Sequence, residues 1–224
     1  ALITDSTPEK ARQWVANLEQ LLRITVQHVR VTDVVLASAA AELEAVRQAA
    51  SFLERLDLPA VPDAQIASTE PVATEDRVLS AVVTAFYKAA QRARSHDMAT
   101  AVWQAAWQDL VERIGARNSH APTVQHQLAA LRELLIAQKH ACAEYLATSI
   151  TDSINGLAAI VRCSAIEFVP GLAAVLFDRL APLWHAAVEQ VMGTSDDKQC
   201  TSAELSILRA LSSLVSAQVE FGKD

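Results

Sequence analysis

Glycine is scarce here, with five residues in a chain of 224, and aromatic side chains make up only 5%. Strands and the tight turns that join them draw on both, so a sheet-based fold is disfavoured. The glycines are too few and too scattered to build a phosphate-cradling loop, and no Gly-x-Ser-x-Gly elbow occurs. Cysteine is nearly missing: Cys142, Cys163 and Cys200 are odd in number and widely spaced. That suggests neither a disulfide framework nor a zinc site, and makes a reducing, cytoplasmic setting the expectation. Positive charge is short as well. The formal net charge is −7, whereas binders of nucleic acid or of anionic membranes depend on clustered cations. No apolar run approaches the roughly eighteen residues of a membrane span. The most hydrophobic stretch, Phe168 to Val188, is interrupted by Asp178, Arg179 and His185.

What is abundant is alanine and leucine, in a composition that is 51% hydrophobic. A chain this rich can bury a core without staples, and the class it points to is all-α. The clearest stretch runs from Pro8 to Pro59 without an internal glycine or proline. Within it Val15, Leu18, Leu22, Thr25, Val29, Thr32, Leu36, Ala39, Leu43, Val46, Ala50 and Leu53 recur at alternating steps of three and four. Such a heptad seam reads as a helix wound against other helices. Val29, Val31, Thr32, Val34 and Val35 are β-branched and mark Arg30 to Asp33 as the natural place for a break. The seam nevertheless passes through in phase, so one helix over about 8–57 is expected. At 1.5 Å per residue it would be roughly 75 Å long, which implies an elongated protein.

Caps and breakers delimit the remaining elements. Ser6 or Thr7 caps the first helix, with Pro8 and Glu9 in its first turn. Pro59, Pro62 and Pro71 punctuate a long loop, the kind of connection that carries function in compact proteins. A second seam, Val82, Phe86, Ala89, Ala93, His96, Thr100, Trp103, Trp107, Leu110 and Ile114, predicts a helix over 75–114; Ser95, His96 and Asp97 could instead cap a new one. A third helix, over 122–153 or longer, carries Val124, Leu128, Leu131, Leu135, Gln138, Cys142, Tyr145 and Ser149. Asn155 and Gly156 end or weaken it. Segments at 169–192 and 201–221 complete the chain, the first with Pro182 inside it, where a kink or break is expected. The last opens with the capping-box pair Thr201 and Glu204. The expected architecture is a single all-α domain, an antiparallel bundle of long coiled-coil-like helices numbering five to seven.

Few side chains carry chemistry in pattern. His140 and Glu144 stand one helical turn apart, as in half of a metal site, but Cys142 between them falls on the seam. No Glu-x-x-His pair supports a di-iron bundle. Arg23 and His28 stand in an Arg-x4-His spacing that resembles the pair placed at a dimer cleft by small helical ribonucleases of the HEPN type. Ile24 follows Arg23 where that family usually has a polar residue, and the resemblance covers these two positions alone. His96, on the second seam, is a candidate for pH-sensitive packing.

These readings favour a non-catalytic interaction or scaffold protein, with no cofactor or metal, that binds protein partners or itself as a homodimer. Candidate interaction segments are Pro59, Pro62 and Pro71 in the loop, and Pro182 with Trp184 in the interrupted helix. Two alternatives remain. In helix length and topology alone the chain resembles BAR-type membrane-curving dimers, whose basic concave faces contrast with its acidity. A helical enzyme or small-ligand carrier would use an interhelical pocket among Trp103, Trp107 and Trp184.

Overall fold

In a computed structural model the chain is described over residues 7–60, 74–92, 100–116, 122–164, 170–193 and 200–221. Six helices and no strand occur among them: α1 (Pro8–Glu54), α2 (Thr74–Arg92), α3 (Thr100–Ala116), α4 (Pro122–Ser164), α5 (Pro170–Met192) and α6 (Cys200–Phe221). The protein is an all-α helical bundle. It divides into two compact units, one of Ala1–Ala37, Ala147–Glu189 and Asp197–Asp224, the other of Ser38–Leu146 and Gln190–Asp196. The chain of α1 and that of α4 each contribute to both.

α1 is unbroken through Arg30 to Asp33, as the in-phase seam required. It ends at Glu54, three residues before the expected boundary of 57. There the backbone tightens, the N–H of Arg55 turning to the carbonyl of Phe52 (3.3 Å) and that of Leu56 to Leu53 (3.2 Å). Such shortened bonds take up helix-end carbonyls ahead of Pro59, which disfavours helix at Leu58.

In the second unit Leu43, Val46, Ala50 and Leu53 of α1 are buried with Val83 and Phe86 of α2, Leu110 of α3 and Val124, Leu131 and Leu135 of α4. The predicted single helix over 75–114 is here two helices packed against each other. Phe86 lies 5.7 Å from Trp107, ring to ring, and Phe52 meets the same indole edge-on at 5.8 Å. Along one straight helix Phe86 and Trp107 would stand roughly 30 Å apart. Gathering three bulky rings into one cluster buries far more apolar surface than extending them along a line, and that gain outweighs the continuous heptad. Polar stitches accompany the core: Gln127 donates to the Thr84 hydroxyl (3.1 Å) and Gln138 to the Ala90 carbonyl (2.6 Å). Cys142 is buried here, and burial with the nearby Glu42 carboxylate pushes its thiol up to about 12.

In the first unit the core is Leu36 of α1, Ile150, Ile154, Leu157 and Val161 of α4, Leu176, Leu180 and Trp184 of α5, and Ile207 and Leu214 of α6. α4 runs to Ser164, well past the expected minimum of 153, and Gly156 lies within it. α5 likewise runs on through Pro182. Pro182 and Asp178 are both exposed, so water can take the carbonyl that the missing N–H leaves free, and the expected break is avoided.

Candidate functional site

Two features of the first unit stand out, one interior and polar, the other exposed and apolar. The interior one centres on Ser153 of α4, which is buried. Its hydroxyl accepts a hydrogen bond from the Trp184 indole of α5 (2.9 Å) and shares another with the Thr32 hydroxyl of α1 (3.0 Å). Its backbone carbonyl accepts from Nε2 of His28, one turn earlier on α1 (3.1 Å). That bond requires the proton on Nε2 in the neutral ring. Burial holds the His28 imidazole below its ordinary value, partly opposed by the bond to Ser153.

Gly156 makes room for this arrangement. A Cβ on it would lie 2.5 Å from Cε1 of His28 and 3.1 Å from Nδ1. Three elements are thereby clasped at one serine, each neutral bond contributing about 1 kcal/mol. The geometry is not that of an activated nucleophile, because His28 reaches the carbonyl of Ser153 rather than its hydroxyl. A serine nucleophile needs its base on the oxygen that attacks. Within the chain Arg23 and His28 have different surroundings, and His28 is engaged by the Ser153 carbonyl. His28 is half-buried against α4, while Arg23 is exposed on the outer face.

The exposed feature is the beginning of α1. Residues 8–20 are exposed throughout, although the seam runs through them in the phase that is buried farther along. Val15 is 58% exposed and Leu22 45%, whereas Leu43 on the same line is 1%. Trp14 and Leu18 are exposed beside them. The change falls at Thr25, the first buried position of the seam. Farther round α1, an open groove of about 800 Å³ is lined among the described residues by Leu22, Arg23, Val26, Gln27, Arg30 and Val31, with others of the same helix. α1 thus presents large apolar side chains on the face that elsewhere in its length forms core.

Of the residues singled out from sequence, Trp184 is an interior side chain, bonded to Ser153 and set edge-on to Phe177 at 6.0 Å. Pro59 is half-buried just beyond α1, and Pro182 is exposed on α5. Pro62, Pro71 and His96 lie outside the described residues, as does the side chain of Trp103. Trp107 belongs to the second unit and packs on Phe52 and Phe86. His140 is half-buried on α4 and Glu144 exposed. Among the described residues no group of three or more His, Cys, Asp or Glu side chains is placed to hold a metal ion. No described helix is long and apolar enough to cross a membrane.

Sequence reasoning passed over Ser153 and treated Gly156 as a weak point. The available signal was a glycine inside an otherwise strong helical pattern, which marks close approach by a neighbour. Fold and site together define a helical-bundle protein whose first helix exposes the seam residues Val15, Leu18 and Leu22. No protein-family model matches the chain, and no curated protein and no solved structure matches it at a significant level.

Proposed function

We propose that the protein is a non-catalytic interaction protein that works through the first turns of α1, associating with itself as a homodimer in a cytoplasmic setting. The observation that carries this reading is the α1 seam, which leaves the core at Thr25 yet keeps its apolar residues at Leu22, Leu18 and Val15. Leaving such side chains in water forgoes roughly 1.5–3 kcal/mol for each that a partner could bury fully. A helix that lacked a partner there would gain solubility from polar residues at these positions. The free, buried Cys142 suits a reducing compartment.

Sedimentation velocity over a wide concentration range tests the reading. The wild-type chain is expected to shift from monomer toward dimer, and Leu18→Glu to remain monomeric with unchanged helix content by circular dichroism. Association that persists in Leu18→Glu would remove α1 from the interface, and a wild-type monomer at every concentration would end the self-association reading. Anionic vesicles provide the contrast with a BAR-type function. The net charge of −7 predicts no cosedimentation at low salt.

A further inference from the structure

Resting on that reading, we infer that a second copy of the chain covers the exposed start of α1 by antiparallel pairing, in a register that sets Val15 against Leu18 of the second copy. The heptad then dictates each layer of the contact. With Val15 and Leu22 at one core position and Leu18 and Ala11 at the other, an antiparallel pair places Val15 on Leu18, Leu18 on Val15, Leu22 on Ala11 and Ala11 on Leu22. One flank of this seam brings Arg12 of each copy to Glu19 of the other, twice by symmetry. The opposite flank carries Leu21 of each copy and no charge. One side of the contact is therefore charge-complementary and the other apolar, with no like-charge pair.

Both neighbouring registers bring like charges together, and sliding the copies by one heptad toward the chain's start sets Arg12 against Arg12. Sliding the copies by one heptad toward the chain's interior sets Glu19 against Glu19. It also requires Thr25 to face the partner, and Thr25 is already buried in its own unit. In the favoured register the layers use Ala11, Val15, Leu18 and Leu22, which are all exposed. Between Pro8 and Ile24 the charges are Lys10, Arg12 and Arg23 against Glu9 and Glu19, so this segment is close to neutral although the whole chain is acidic. A twofold, self-matching patch is the form that a homodimer interface takes.

Charge exchange tests the register. Arg12→Glu and Glu19→Arg are each expected to weaken self-association about tenfold at low salt, since two attractive contacts become repulsive. Mixing the two variants is expected to restore wild-type affinity as a one-to-one heterodimer, because the flanking charges can again be paired with opposite sign at lower cost than in either homodimer. The doubly exchanged chain, Arg12→Glu with Glu19→Arg, should recover as a homodimer. If the wild type dimerises and Leu18→Glu does not, yet neither the mixture nor the doubly exchanged chain associates better than the single variants, the register is wrong while the α1 interface stands. A wild-type chain that stays monomeric overturns both.

Discussion

At the scale of residues the clasp around Ser153 makes sharper demands than any surface feature. Gly156 costs α4 roughly 1 kcal/mol of helix propensity relative to alanine. The His28 ring occupies the space where an alanine methyl would sit. Gly156→Ala is therefore expected to destabilise the folded chain by about 1–2 kcal/mol, overpacking outweighing the propensity gain. In a His28→Ala background the ring is gone, and the same change should stabilise by up to about 1 kcal/mol. Urea denaturation of the four chains reads the reversal of sign directly, and equal effects in both backgrounds would show that the ring and the glycine are not coupled. The imidazole also sets a pH dependence. Burial disfavours its charged form, so the folded pKa lies below the ordinary 6.5. The unfolded chain then binds more protons over that window, and the stability is present above 6.5 and lost as pH falls toward and through the folded value. Ser153, whose carbonyl holds the ring, and Gly156 beside it do not titrate at these pH values. Replacing His28 by Gln should flatten the stability profile below the ordinary 6.5 relative to the wild type, and a profile that remains equally steep would assign the loss to other groups.

At the scale of elements, α5 shows how far local rules reach. Pro182 removes one backbone donor inside the helix, and its exposed position lets water satisfy the freed carbonyl. Pro182→Ala should restore the bond and raise stability by about 1–3 kcal/mol, seen as a later urea midpoint with an unchanged m-value. A lower midpoint would mean that the local helix geometry around Pro182 is itself needed for packing. The helices that could be read from sequence were those whose period is also their packing. α1 kept one phase from Val15 to Leu53, and its continuity followed. Period alone could not say where the covering helices stop, because Val15 and Leu43 satisfy the same heptad while one is exposed and the other buried. The split into α2 and α3 was foreshadowed by the possible cap at Ser95, His96 and Asp97, while the meeting of Phe86 with Trp107 depends on tertiary packing that no local pattern records. Ser153 was invisible for a related reason: its partners on α1 and α5 lie 121, 125 and 31 residues away.

At the scale of the whole molecule, two opposed quantities govern association. A net charge of −7 makes copies of the chain repel one another. Against that stand Val15, Leu18 and Leu22, exposed on each copy and doubled at the proposed twofold contact. The near-balance of charge between Pro8 and Ile24 limits repulsion where the proposed pairing brings the copies together, so that there the apolar term outweighs it. On the proposed pairing, association of the folded but not the unfolded chain makes thermal stability depend on concentration. For a chain of this size a hundredfold rise in concentration should raise Tm by about 3 °C, half of the mass-action gain falling to each protomer. Leu18→Glu should melt at one temperature across the same range, because its exposed position leaves the fold intact while the contact is lost. Calorimetry on both chains separates the cases: a Tm that is flat for the wild type would mean that the seam of α1 stays in water, and one that climbs equally for both would move the interface to another face.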